Sequence, residues 1–410
     1  MSECEAHPLN RRDFLQAGAA ATAAATAVSL STTPATAAPQ AASAKKAVEL
    51  PRRTLGKTGV EVTILNQGTW RAPSSIDRLL RLGYNDGVRF VDTADCYGTE
   101  PAVARFLEAL PAGGRKSLFL ASKDHPRTPS DLLKMLDKRL AALRTDYLDL
   151  LYIHGLGGNQ VEWPKSPEFK ETVEAIKKTG KCRFVGFSTH DGTKAEQLMN
   201  AAEGGFVDVI MLAFQPIWHT KDAKLDRALD ACHKAGIGLV SMKQISGMSD
   251  RVLKEVPKHV PTLKEKGLSA YGGLLHAIWT DERFTCSCVS MHNTDQLHED
   301  IHAARTFTPL STAELEGLRN AALAAGPSFC ANCDGSCSRA GKTEAKLGEL
   351  SRLITYHDHY GARTDARRLY AEMDEKHRDW KGADLDAARQ ACHARLDFAN
   401  LLPRVDEHLA

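Results

Sequence analysis

The chain has 410 residues, 43% hydrophobic and 25% charged, the balance of a soluble globular protein with room for one large domain and an addition. A formal net charge of +2 provides no basic field for nucleic acid or an anionic membrane surface. Ten cysteines are too few for a disulfide scaffold at this length, and three of them crowd into Cys330, Cys333 and Cys337.

Residues 1–37 read as a targeting segment rather than as fold. Arg11-Arg12 is followed by the apolar pair Phe14-Leu15, an Ala-rich, weakly apolar stretch from Ala17 to Leu30, and the small-residue cleavage pattern Ala35-Thr36-Ala37. That is a twin-arginine export signal, which sends the mature chain to the periplasm or outside the cell. The apolar stretch is too short and alanine-rich for a stable membrane span, which needs about 20 strongly apolar residues. Removing Met1–Ala37 takes away two Lys/Arg and three Asp/Glu, leaving 51 against 48, so the mature chain stays close to neutral. Residues 38–52 read as a linker.

From Arg53 to about Ser311, within a barrel domain read as residues 53–326, short apolar runs alternate with amphipathic helical stretches. The runs are Val62–Leu65, Val88–Val91, Leu118–Ala121, Tyr147–Ile153, Arg183–Phe187, Val207–Leu212, Ile237–Ser241 and Phe284–Ser290. Near-continuous apolar strands separated by helix-length segments predict strands buried on both faces. Eight such units in about 250 residues make an α/β fold, a (β/α)₈ TIM barrel. A doubly wound open sheet is the rival, but no Gly-x-Gly-x-x-Gly follows the first strand. Polar residues interrupt the pattern at the same end of successive strands: Asp92, Lys123, His154, Ser188, Gln215 and Lys243. In a barrel these ends ring one mouth, where active sites are built.

Three stretches carry a family resemblance. Arg53-Thr54-Leu55-Gly56-Lys57-Thr58-Gly59, Phe90-Val91-Asp92-Thr93-Ala94-Asp95-Cys96-Tyr97-Gly98 and Thr145 through His154 resemble the signature segments of the aldo-keto reductases. Matching continues through Gly180-Lys181 and Ser188 to Glu299. The resemblance implies a catalytic tetrad of Asp92, Tyr97, Lys123 and His154, exchanging hydride between a nicotinamide and a small carbonyl or alcohol. Elementary chemistry agrees, because a carbonyl receiving hydride needs a proton donor and a stabiliser for the developing alkoxide. A free tyrosine is a weak acid. A lysine cation about 4 Å away at an effective dielectric near 20 supplies about 4 kcal/mol, enough to lower its pKa by roughly two to three. Tyr97 is therefore expected to be the general acid with a depressed pKa, Asp92 to aim Lys123, and His154 to hold the carbonyl oxygen. Taken singly, Asp92 with Lys123 could be a structural ion pair, and His154 a satisfied half-core histidine.

The resemblance also implies a cofactor subsite, with departures. Ser188 and Gln215 match positions that hold the nicotinamide carboxamide, but Thr189 stands where many relatives have Asn and Met242 where many have an aromatic ring. The loop from Ser290 to Glu299 keeps the family's spacing, with Gln296 and Glu299 as adenine-side candidates. It lacks the Lys or Arg that often clamps a 2′-phosphate, which leaves NADP against NAD open. Lys243 either replaces that charge or fills the mouth.

Residues 327–410 change character. Cys330, Cys333 and Cys337 lie in a Gly/Asn/Asp/Ser loop, helical patterns follow at Leu347–Ile354 and Ala366–Met373, and Cys392 stands near the end. The segment resembles the C-terminal extensions of an aldo-keto reductase subgroup with ferredoxin-like cysteines, although the usual Cys-Pro ending is absent. The four cysteines are expected to hold an iron–sulfur cluster, which implies an electron-transfer partner; zinc, a disulfide or a relic loop are the alternatives. His357 and His359 are expected to be solvated, Cys286 and Cys288 to be core, and the Lys254–Lys266 stretch to be a solvated face. A non-enzymatic reading, a low-turnover redox-sensing or binding subunit, competes with the oxidoreductase.

Overall fold

The computed structural model describes residues 49–219 and 222–410. The twin-arginine segment and all but the last residues of the linker lie outside them. Eight parallel strands close into a barrel in the order β10-β3-β4-β5-β6-β7-β8-β9. They are β3 (Leu65–Gly68), β4 (Phe90–Asp92), β5 (Phe119–Asp124), β6 (Leu148–Ile153), β7 (Cys182–Thr189), β8 (Val209–Ala213), β9 (Gly238–Met242) and β10 (Phe284–Ser290). A two-stranded antiparallel hairpin, β1 (Arg52–Thr54) and β2 (Glu61–Thr63), precedes them.

Side chains alternate across these strands, so each strand feeds two cores. Inward, Phe90, Phe119, Ala121, Leu150, Tyr152, Val209, Met211, Val240 and Cys286 fill the barrel, joined by Leu55 and Val62 of the hairpin segment. Outward, Leu65, Val91, Leu120, Leu151, Val185, Ile210 and Leu239 pack under the helices. Helix Ile76–Asn85 shows the matching period, burying Ile76, Leu79, Leu80 and Gly83. Gly186 is required by the barrel wall: a Cβ there would fall 1.8 Å from the Val209 carbonyl oxygen.

One expected strand is corrected. The run Val62–Leu65 is not one barrel strand but the end of the hairpin and the start of β3. Val62 is buried because the hairpin plugs the barrel's bottom, which gives it the same apolar signature as a wall strand.

Beyond helix Thr312–Ala324, begun by a Ser311–Glu314 capping box, the extension is helical: Ser336–Ala340, Leu347–Asp358, Arg363–Ala371, Leu385–Ala391 and shorter turns. It packs against the barrel through one continuous apolar core that includes Leu347, Leu350, Leu353, Cys337 and Cys392. Cys337 sits within a helical turn rather than in open loop. His357 is also corrected: it is buried, bonded to Asp358 at 2.8 Å and stacked on His408, because the chain's last helix covers that face. His359 is exposed, as expected. The lysines of 254–266 face outward while Val256, Val260 and Leu263 are buried. Among the described residues no helix is long and apolar enough to cross a membrane.

Candidate active site

Because all eight strands run parallel, their C-terminal ends meet at one mouth. Asp92 closes β4 and Lys123 lies near the end of β5, both buried. The Lys123 ammonium donates to the Asp92 carboxylate and, at 2.8 Å, to the Thr93 carbonyl. It also lies 4.8 Å from the centre of the Tyr97 ring. Tyr97 ends the 3-10 turn after β4, and its hydroxyl is 3.4 Å from Nε2 of His154, which follows β6. The four expected residues therefore converge.

Their electrostatics correct one expectation. Tyr97 is not a depressed-pKa phenol: burial, with Asp92 and Cys96 adding, holds it well above its usual value. The physical reason is that removing a phenolate from water outweighs a lysine already committed to Asp92. Tyr97 is thus held protonated. Burial and the Lys123 charge hold His154 well below the usual imidazole range, so it is neutral. A residue missed by sequence reasoning positions this turn: buried Arg139 bridges Asp95, Glu100 at 3.2 Å and Asp124 at 3.4 Å, tying the Tyr97 turn to β5. Its only sequence signal was a basic residue on the apolar side of helix Asp131–Leu143.

The expected cofactor positions are present but covered. Ser188 is 1% exposed and accepts from the Gly155 amide; Gln215 is 0% exposed and donates to the Gln244 carbonyl. Gln215 Oε1 is buried with no hydrogen-bond partner, an acceptor suited to a carboxamide NH₂. Thr189 bonds the Leu156 carbonyl instead of facing the mouth. Lys243, at φ +60°, donates to the Tyr356 hydroxyl at 3.1 Å and lies 4.1 Å from the Trp70 ring, so it fills the mouth. Gln296 accepts from the His292 amide, and Glu299 lies half-exposed on the same helix, Thr294–Arg305, whose N-terminus Asn293 caps.

The cover is the extension. Asn332 bonds Ser246 at 3.0 Å, the Ser328 amide bonds the Gly247 carbonyl, and Tyr356 and Tyr360 pack on Trp70. Between the β9 loop and the extension a cavity of about 40 Å³ remains, lined by Lys243, Ser246, Cys330, Asn332 and Tyr356 among others. Small-molecule sites usually measure about 300–1,000 Å³.

The extension's four cysteines are unpaired. Burial raises their thiols, Cys333 to about 12 and Cys337 to about 11, and neighbouring cysteines of the set add to this for Cys330, Cys333 and Cys337. A Cβ on Gly348 would stand 3.3 Å from Cys330 Sγ and 4.0 Å from Cys337 Sγ, so glycine leaves room between these sulfurs. Lys194, 1% exposed, donates to the Asn332 and Cys333 carbonyls, and among the described residues no carboxylate pairs with it. Burial lowers its pKa, and negative charge on Cys333, Cys330, Asp222 or Asp334 nearby favours its charged form. Sequence reasoning also missed Asp334 and His393, whose ligand atoms lie within 4.8 Å of Cys333 Sγ and of each other. Cys286 faces the barrel interior as expected, while Cys288 lies beside Asp92 under the mouth.

The sequence model of the aldo/keto reductase family matches residues 65–320, and that of the twin-arginine translocation signal matches residues 8–28. The chain is 25% identical over 236 residues to D-galacturonate reductase of Hypocrea jecorina, covering 52% of this chain and 73% of that protein. It is 22% identical over 324 residues to L-glyceraldehyde 3-phosphate reductase of Escherichia coli K12, covering 65% and 91%. In structure it is similar to a thermostable aldo-keto reductase in complex with the inhibitor epalrestat, with a TM-score of 0.54, 24% identity and coverage of 66% and 100%. At that identity the likeness carries the fold alone.

Proposed function

The chain belongs to the aldo/keto reductase family and is an NAD(P)-linked oxidoreductase with a twin-arginine signal, and from that premise we propose that Tyr97 is its general acid for a small carbonyl substrate. The observation that carries this reading is the convergence of Tyr97, His154 and the buried Lys123–Asp92 pair at the strand C-termini.

In reduction, a bound nicotinamide supplies the hydride. Tyr97 gives its hydroxyl proton to the carbonyl oxygen as negative charge develops there, and the Lys123 ammonium offsets the phenolate left behind. Because burial opposes that phenolate, proton transfer is driven by the alkoxide's greater basicity, and the lysine lowers the cost of the charge that grows on Tyr97. Neutral His154 donates a hydrogen bond from Nε2 and orients the oxygen. Asp92 keeps Lys123 aimed. Ser188 and Gln215 would hold the carboxamide, the orphaned Gln215 Oε1 accepting from it, while Gln296 and Glu299 lie on the adenine side. Lys243 is engaged with Tyr356 and Trp70 rather than free to clamp a 2′-phosphate, so this reading holds for NADP and NAD alike. The closed mouth requires the extension to lift before a dinucleotide enters.

The division into signal 1–37, linker 38–52, barrel 53–326 and tail 327–410 is part of this reading, as is a periplasmic or extracellular location. Cys330, Cys333, Cys337 and Cys392 would hold an iron–sulfur cluster, which supplies one-electron transfer; the Gly348 gap, the four unpaired thiols and the buried Lys194 beside Cys333 and Cys330 fit an anionic centre. An electron-transfer partner follows from that assignment. The covered groove favours one rival, a low-turnover redox-sensing or binding subunit. Steady-state oxidation of NADPH and NADH by the mature protein with a panel of aldehydes, sugars and sugar acids separates them. Turnover with any carbonyl supports the enzyme; its absence throughout supports the subunit.

A further inference from the structure

We propose that Cys96, His125 and His154 form a binding site for a borderline divalent metal ion such as Zn²⁺, at the rim of the barrel mouth, with Cys96 Sγ and His154 Nδ1 among its ligands. One ligand atom from each residue lies within 4.8 Å of the others. Cys96 Sγ is 3.5 Å from His154 Nδ1. Zinc bound tetrahedrally at about 2.3 Å to sulfur and 2.0–2.1 Å to nitrogen separates the two by about 3.6 Å, so this pair already has the spacing of co-ligands. The His125 and His154 rings lie 4.5 Å apart, centre to centre.

Accessibility and chemistry agree with the spacing. Cys96 and His125 are exposed, so an ion can arrive from solvent, and three protein ligands leave a fourth position open at the mouth. Lys123, Lys243 and His190 act on His154, and Asp124, Asp95, Arg368 and Lys123 on His125; with Asp95 and Asp124 bridged to Arg139, the Cys96 thiolate supplies the negative charge toward an added dication. A sulfur with two imidazoles selects zinc or copper over magnesium and calcium. Binding replaces the Cys96 thiol proton, which passes to solvent, and changes no oxidation state.

The site has a consequence at its neighbour. Metal on Nδ1 fixes His154 as the Nε2–H tautomer, and Nε2 is the atom 3.4 Å from the Tyr97 hydroxyl. The metal assignment rests on geometry and does not depend on the catalytic reading.

The test is titration of the mature, full-length protein with Co²⁺, a spectroscopic probe for zinc, in the parent, Cys96→Ser and His125→Ala. All three keep the tail cysteines, so the comparison cancels whatever those bind. The parent should take up one equivalent more than Cys96→Ser, with a thiolate-to-cobalt charge-transfer band in the difference spectrum. His125→Ala should weaken that equivalent by roughly 100-fold or more, since even outer-shell partners cost 10–100-fold. Both substituted side chains are exposed, and thermal melts matching the parent exclude a folding defect. Equal stoichiometry and spectra in parent and Cys96→Ser, or a difference seen only at millimolar Co²⁺, would overturn the site.

Discussion

Asp300 faces inward from helix Thr294–Arg305 at 6% exposure, and burial raises its carboxyl to about 8. An unfolded chain's aspartate titrates near 3.9. The folded value is the higher one, so the stability tied to protonated Asp300 is complete below about pH 4 and is lost as pH rises toward 8. Asp300→Asn, neutral in both states, should therefore stabilise the protein, by at most about 1.4 kcal/mol more for each pH unit between 4 and 8. Denaturant melts at pH 5 and pH 8 check this; an equal gain at both values would contradict it. At this scale the sequence was legible in identity but not in environment. Asp92, Tyr97, Lys123 and His154 could be picked out by position, whereas the direction of the Tyr97 shift depended on burial that no local pattern encodes.

Among the elements, seven of the eight barrel strands share two or more residues with their predicted runs and the first shares only Leu65, because a strand buried on both faces leaves an unbroken apolar segment. The first was misplaced because the Val62 plug buries itself as a wall strand does. The cover over the mouth was illegible for another reason. It depends on partners such as Lys243 and Tyr356, 113 residues apart, and periodicity reports faces, not what they meet. Asn332→Ala together with Tyr356→Phe removes the bonds to Ser246 and Lys243. At about 0.5–1.5 kcal/mol each, their loss should favour the lifted extension and tighten apparent NADPH binding roughly 5–150-fold. Fluorescence titration measures it. An unchanged Kd would show that the extension does not limit entry, and no binding of either NADPH or NADH in either protein would remove the nicotinamide subsite itself.

At the scale of the whole molecule, the chain joins a twin-arginine signal to an aldo/keto reductase domain. The twin-arginine route reads the guanidinium pair and carries folded chains, so a cofactor acquired before export travels with the protein. Lys194 joins the two regions, reaching from the barrel helix Lys194–Gly204 to the carbonyls around Cys333. If an iron–sulfur cluster sits there, anaerobically purified protein is brown, Cys333→Ser is colourless and Cys392→Ser pale or colourless. Iron and zinc analysis with visible absorption tests this, and a colourless parent holding neither metal would contradict it. At the barrel mouth the proposed step is proton donation by Tyr97. Tyr97→Phe keeps the ring and deletes only the hydroxyl, so with the best carbonyl substrate kcat should fall roughly 10²–10⁴-fold while the NADPH Kd stays within about twofold. Carbonyl reduction by Tyr97→Phe at the parental rate would place the acid elsewhere.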